Sequence, residues 1–365
     1  MMPKSTLILA VMLFAWPNAF AQPSPGGSVM LSGRIIDSQT QQGIENAFVF
    51  YSHTTNGTQT NAQGYFALNR IPTGMSELVV AKAGYQTEVK RYQVTAGKTG
   101  MKISLEPNIE AENEKMQTAI ERLQRAYFLE QFRHIFFGIS ESGGQCSITN
   151  ENAMDFFNNE KTNVLEAYAN APLIIENHAT GYRIVFVLEN FTCFRLVGKI
   201  RYTYKGHAFF MEMIPQLEGN LWDWRKNRHQ AYLGSLRHFL AALAKDGLAE
   251  VGFEINLAAF SADENAILSI GADINRYNIL RVFENDGKYL LKFPDFLQVD
   301  YITDNSRQTS WLFLNRNYAI FDHTGRFIKP FDPITVHGQW ADRSFSFHLP
   351  RDYTPPPSET LGYSK

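Results

Sequence analysis

Cysteine is scarce in this chain: its 365 residues include only Cys146 and Cys193. Two cysteines exclude a disulfide-dense scaffold and a zinc site of paired Cys-x-x-Cys type. They leave either one Cys146–Cys193 disulfide or two separate buried thiols, which behave as small apolar side chains. Excess charge of one sign is also lacking. The net charge of -2 gives no general attraction to nucleic acid or to an anionic membrane surface. No apolar run after the first 21 residues approaches the roughly 18 needed to span a bilayer. The mature chain is therefore expected not to be integral to a membrane.

Motifs for metal and nucleophilic chemistry are missing as well. A zinc peptidase needs a His-x-x-Glu or His-Glu-x-x-His arrangement, so that nitrogen and carboxylate ligands share one metal. None of the nine histidines has Glu three positions later. Gly138-Ile139-Ser140-Glu141-Ser142 lacks the last glycine of a nucleophile elbow. Gly143-Gly144 is an isolated pair and not a phosphate-binding loop. No catalytic residue, metal ligand or cofactor site is assigned.

What is present begins with a targeting segment. Lys4 precedes an apolar stretch from Leu7 to Trp16, and Ala19-Phe20-Ala21 offers small residues for cleavage before Gln22. Residues 1–21 are expected to be a signal peptide and 22–27 a flexible leader. Short runs with partial alternation fill 28–107, broken by turn signals every eight to twelve residues, which predicts a β-sandwich. Seven strands are placed near 29–37, 47–53, 58–61, 64–69, 77–83, 88–95 and 101–106. Asn56-Gly57 predicts a type I′ hairpin turn, because both residues tolerate positive φ.

From Ile109 the period changes. Met116, Ile120, Leu123, Tyr127 and Phe128 recur at helical spacing, predicting a linking helix over 108–137 that docks on the second domain. Residues 138–350 read as that domain, larger and mixed. Strands are expected at 164–169, 173–176, 182–188, 196–204 and 208–214, with Lys205-Gly206-His207 as a turn. A long helix is expected from Trp222 to Leu243, followed by strands at 250–257, 277–284, 288–293, 296–303, 309–314, 317–321 and 343–349. Residues 351–365, with three consecutive prolines, read as a disordered tail. The fold class is α+β multidomain: a seven-stranded β-sandwich, a linking helix, then a larger domain with antiparallel sheet and one long helix.

Gly33 with Asp37, Gly43 through Ala47, Thr60 with Gly64-Tyr65-Phe66, and Gly84-Tyr85 resemble the carboxypeptidase regulatory-like domain, a transthyretin-like β-sandwich of exported bacterial proteins. The resemblance implies a folding and presentation unit without catalytic residues. In the larger region, Phe136-Phe137-Gly138, Pro172 to Asn177, Asn227-Arg228, Ala231 to Ser235 and Gly338-Gln339-Trp340 resemble exported Gram-negative envelope proteins that carry the same sandwich in front. That likeness supplies a layout and no activity.

The densest polar group lies on the expected long helix. Arg228, Tyr232 and His238 make either a pocket for an anion or a sugar, or a buried hydrogen-bond cluster tying helix to sheet. Aromatic residues make up 13% of the chain and suit a pleated core. Phe293, Phe296, Tyr301, Trp311 and Phe313 line a groove if exposed and fill a sheet core if not. The leading expectation is an exported protein of the periplasm or outer membrane with a non-enzymatic binding, assembly or scaffold role. Its partner would be an envelope protein or a glycan. The alternative is a hydrolase acting on glycans or peptides, with Arg228 and His238 in its site.

Overall fold

Seven short strands open the chain: β1 (Val29–Asp37), β2 (Phe48–Tyr51), β3 (Gly57–Gln59), β4 (Tyr65–Ile71), β5 (Gly74–Ala81), β6 (Glu88–Val94) and β7 (Lys98–Leu105). They make two sheets, ordered β4-β1-β7 and β3-β2-β5-β6. Alternate residues of each strand turn inward, and Ile35, Val49, Leu68, Leu78, Val80 and Ile103 fill the space between. This is the sandwich expected from the turn spacing. The structure, a computed structural model, describes residues 29–356 apart from 72–73, 95–97, 109–118, 197–198, 263–265, 271–273, 284–286 and 330–331. The expected signal peptide, the leader, the start of the linking helix and residues 357–365 lie outside the described residues.

The β2–β3 connection differs from expectation. Positive φ falls on His53 (φ 61), and not on Asn56 or Gly57, so no type I′ turn forms there. Instead, residues 52–56 make a longer loop closed by Tyr51 N–H to Asn56 O at 2.9 Å. Gly57 is needed for packing: a Cβ there would lie 2.5 Å from the Phe209 ring.

Helix α1 (Ala119–Phe137) comes next and docks, but not through the whole predicted stripe: Phe128 packs against the core, whereas Leu123 and Tyr127 are 74% and 58% exposed. Leu129, Phe132, Phe136 and Phe137 enter a core beneath a six-stranded sheet. After the short α2 (Glu141–Gly144), that sheet is built from β8 (Cys146–Ile148), β9 (Met154–Asn159), β10 (Val164–Ala169), β11 (Leu173–Asn177), β12 (Tyr182–Leu196) and β13 (Lys199–Glu212). The last two form one long antiparallel hairpin, from Tyr182↔Glu212 to Leu196↔Lys199. Lys205, Gly206 and His207 therefore lie inside a strand, and no turn separates two strands there. A register shift between Leu188 and Asn190 makes Glu189 the extra residue of a bulge opposite them.

The expected single helix from Trp222 to Leu243 is two: α3 (Glu218–Tyr232) and α4 (Leu236–Lys245). Gly234, at φ +66, separates them. Ser235 then caps α4 by accepting the His238 N–H. Beyond lie β14 (Phe253–Ser261), β15 (Ala266–Ser269), α5 (Arg276–Ile279), β16 (Leu280–Phe283), β17 (Lys288–Leu291), β18 (Phe296–Thr303), β19 (Ser306–Leu314), β20 (Ala319–Asp322), β21 (Phe327–Lys329) and β22 (Ile334–Gly338). They form a five-stranded sheet, β15-β14-β18-β19-β22, and a four-stranded one, β16-β17-β20-β21. The stretch expected as a strand at 343–349 is a short 3-10 turn at Phe345–Phe347, which carries Phe345 into the core beside α1.

Residues 138–350 thus hold two cores. One lies under α1; the other joins Phe239, Leu240 and Leu243 of α4 to Leu297, Val299, Leu312 and Phe321. A further apolar cluster closes the seam to the sandwich: Phe50, Val79 and Ala81 meet Val185, Val187 and Phe209. Burying each Val or Phe is worth about 1.5–3 kcal/mol, so the sandwich is held firmly. Among the described residues, no helix is long and apolar enough to cross a membrane.

Candidate functional site

Arg228, Tyr232 and His238 are all buried, at 8%, 7% and 9% exposure. Arg228 leaves α3 toward the β11–β12 turn. Its Nε donates to Thr180 O at 2.7 Å, its Nη1 to Glu212 Oε1 at 2.7 Å, and its Nη2 to Gly181 O at 3.3 Å. Its guanidinium also lies 3.9 Å from the centre of the Tyr182 ring. Neighbouring Trp224 Nε1 and Asn227 Nδ2 donate to His178 O and Ala179 O. Three side chains of one helix thus take four successive turn carbonyls, of which Gly181 O also accepts the Met213 N–H at 2.9 Å. Arg228 is a clamp on that turn.

His238 stands apart from Arg228, on α4. Its Nδ1 accepts the Gly234 N–H at 3.1 Å, which leaves the proton on Nε2. Tyr232, Phe253 and Tyr301 surround its ring. Burial, with His229 and Lys245 nearby, lowers its pKa to about 4, so it is neutral at pH 7. Tyr232 lies against His238, with the Arg237 guanidinium and the Tyr353 ring on its other sides. The helix break brings Tyr232 and His238 into contact, with ring centroids 5.1 Å apart, and leaves Arg228 with the β11–β12 turn.

A second polar group, which leaves no signature in the sequence, lies in the seam. Ser52 Oγ is 2.8 Å from His207 Nδ1, and His207 Nε2 is 2.8 Å from Glu189 Oε1. The β12 bulge aims Glu189 at this ring. Burial alone would raise the Glu189 pKa, but hydrogen bonds from Lys205 and His207 outweigh it and hold the carboxyl below its usual range. Glu77 Oε2 lies 3.7 Å from His207 Nδ1, so a carboxylate stands on each side of the ring. The order Ser–His–Glu is that of a hydrolase relay. Ser52 and His207 are only 4% and 3% exposed, however, and are sealed between sandwich and hairpin. The arrangement joins the two units.

The aromatic stretch divides by strand parity. Phe293 and Tyr301 turn into the α4 core. Phe296, Trp311 and Phe313 alternate with the core residues Leu297, Leu312 and Leu314, and so occupy the opposite face of the five-stranded sheet. There they form rows across the strands. Glu254, Asp300 and Thr309 make one, then Asn256, Gln298, Trp311 and His337, then Ala258, Phe296, Phe313 and Thr335. Phe313 is 40% exposed and Phe260, farther along, 56%. None of Phe296, Trp311 and Phe313 belongs to a described core cluster.

Residues 31–116 match the family of the CarboxypepD_reg-like domain. The sandwich is a CarboxypepD_reg-like domain. The match covers about a quarter of the chain and identifies the sandwich, not the rest. No curated protein matches this chain. Among solved structures, a C-terminal interface mutant of a type II cohesin–X-dockerin complex from Acetivibrio cellulolyticus is similar over 27% of this chain and 70% of that one. Its identity is 23% and its TM-score 0.21. A Klebsiella pneumoniae 5-hydroxyisourate hydrolase is similar over 22% of this chain and 91% of its own, with 20% identity and a TM-score of 0.20. A DUF3823 family protein from Bacteroides ovatus is similar over 52% and 84%, with 12% identity and a TM-score of 0.19. Likenesses this weak carry no argument about what the CarboxypepD_reg-like domain or its C-terminal neighbour does.

Proposed function

We propose that this chain is an exported, non-enzymatic binding protein of the cell envelope. The CarboxypepD_reg-like sandwich is its fixed presentation unit, and the ligand surface is the outer face of the five-stranded sheet. The observation that carries this reading is the row of Phe296 and Phe313 beside Trp311, turned away from the core and flanked by polar rows. Aromatic faces beside carboxylate, amide and hydroxyl groups suit a glycan, whose rings have apolar C–H faces and hydroxyl edges. In this reading Arg228, Tyr232 and His238 hold the helices against the sheets, and the ligand lies elsewhere. Their burial and engaged polar atoms do not favour the hydrolase alternative.

A glycan array and crosslinked pull-downs from envelope fractions test the proposal on the mature chain. Binding that is lost in a Trp311→Ala, Phe313→Ala double variant of unchanged thermal stability is the expected result. Empty arrays together with empty pull-downs would count against it.

A further inference from the structure

A cavity of about 430 Å³ lies at the end of α4, between β14 and the start of α5. Its size falls within the range of roughly 300–1,000 Å³ usual for small-molecule sites. Leu248 and Ile274 contribute apolar wall, and Tyr277 stands at it 67% exposed. The polar wall is Asp246, Glu254, Asn256, Asn275 and Arg276. Asp246 caps α4 in the left-handed conformation, at φ 63. Tyr277 Oη donates to its Oδ2 at 3.1 Å, and Arg276 Nη1 lies 3.2 Å from the same oxygen.

Charge selects the kind of ligand. Asp246 is paired with Arg276, and Glu254 with Arg307. Each carboxylate has a cation, so the wall attracts neither a strongly basic nor a strongly acidic ligand. An uncharged molecule with one apolar face and several groups that both donate and accept fits the mixture best. A pyranose ring has that chemistry. Its C–H face matches an exposed tyrosine, and its adjacent hydroxyls match carboxylate, amide and guanidinium groups.

The cavity also continues the outer face of the sheet. Glu254 and Asn256 belong both to its wall and to the first two cross-strand rows, beside Asp300 and Gln298. We propose that this cavity binds one uncharged pyranose ring of a glycan whose remaining rings lie along the Trp311 face. Tyr277 is the stacking plate, and Asp246 and Asn256 read the hydroxyls. This rests on the glycan-binding reading of the chain and deepens it.

The test is saturation-transfer difference NMR on the mature chain. The probes are a panel of uncharged methyl pyranosides and β-linked disaccharides, with a lysine-rich peptide as a competing probe. At least one pyranoside should receive saturation at its ring protons. Its affinity should fall by about tenfold or more, the equivalent of about 1.4 kcal/mol, in Tyr277→Ala and in Asn256→Ala. Trp311→Ala should weaken only the longer sugars. Thermal unfolding of the variants checks that they fold. If Trp311→Ala abolishes glycan binding while Tyr277→Ala and Asn256→Ala leave it unchanged, the cavity assignment falls and the sheet-face reading stands. Peptide binding that is lost in the same cavity variants, without any sugar binding, would overturn the saccharide assignment. If no sugar on the array or in the panel binds, both glycan readings fall.

Discussion

Ser52 of the sandwich and His207 of the long hairpin meet across the seam at 2.8 Å, although 155 residues separate them in the chain. With Glu189 on the other ring nitrogen, this histidine is the polar centre of a contact otherwise made by Phe50, Val79, Val185 and Phe209. Replacing it with alanine leaves the Ser52 hydroxyl and one Glu189 bond without their partner. Stranding a buried polar group costs about 1–3 kcal/mol. His207→Ala should lower stability by that order in urea unfolding, and Ser52→Ala by less. If both variants match the parent, the seam does not depend on this pair.

Gly57 and Phe209 give a packing test of the same seam. A methyl group on Gly57 would press on the Phe209 ring, which also stacks on Phe50 with centroids 5.5 Å apart. Overpacking of this kind costs about 1–3 kcal/mol. Gly57→Ala should show that loss, and adding Phe209→Leu should recover part of it. A double-mutant cycle checks this: strict additivity would mean that the two positions do not press on each other.

Stability should fall in mild acid for a definable reason. Burial lowers the pKa of His238 to about 4, and burial with the nearby Arg343 does the same for His348. Both sit below the ordinary histidine value of about 6.5. The unfolded chain then binds more protons than the folded one between those values. The contribution is present above about pH 6.5 and is lost as pH falls toward 4. Each group should cost roughly 2 kcal/mol between pH 7 and pH 5. Urea midpoints across that range measure it, and His348→Gln should flatten the slope. An unchanged slope would place the acid sensitivity in other groups.

Much of the architecture was legible because local and tertiary preferences agree. The seven sandwich strands alternate only in part but lie between evenly spaced turn residues, and α1 has a helical period, although its buried stripe is Leu129, Phe132 and Phe136 and leaves Leu123 and Tyr127 exposed. Failures occur where a small residue serves packing rather than a turn. Gly206 reads as a turn signal, but it lies inside β13, where a Cβ would meet Val187 O and the Phe186 ring. Gly234-Ser235 continues a helical period, yet it supplies one helix end and the next cap. The candidate site was legible in part. Strand parity separates Phe296, Trp311 and Phe313 from Tyr301, but parity cannot say which set faces the core. The cavity by Tyr277 joins residues from three separate elements, and the Ser52–His207 contact spans two folding units. Neither leaves a mark in local pattern.

The two cysteines are separate thiols in the structure: Cys146 on β8 is partly buried and Cys193 on β12 fully so. Burial pushes the Cys146 thiol up to about 12, and burial raises Cys193 as well, despite Arg195 nearby. Neither should therefore react readily with a thiol reagent in the native state, since the thiolate is the reactive form. Unfolding without reductant should release two titratable thiols. Finding none would instead establish a Cys146–Cys193 disulfide.

The end of the chain acts as a strap, although its composition predicts a free tail from residue 351. Arg351 N–H donates to His53 O at 2.7 Å, and the Asp352 carboxylate accepts from Thr55 N at 3.0 Å and Thr55 Oγ1 at 2.5 Å. Arg237 of α4 donates to Pro350 O at 3.2 Å and to Tyr353 O. Residues 350–353 thus tie the sandwich loop 52–56 to the helix that carries the second core. Stopping the chain after Pro350 removes the bonds to Arg351, Asp352 and Tyr353. Hydrogen bonds are worth about 0.5–1.5 kcal/mol each, more where charged, so the loss should reach roughly 2–4 kcal/mol. Stopping after Pro356 keeps every bond named here and is the control. Hydrogen exchange at residues 52–56 distinguishes the two truncations: it should rise in the shorter chain only. Equal exchange in both would show that the loop is held by His207 and the hairpin alone.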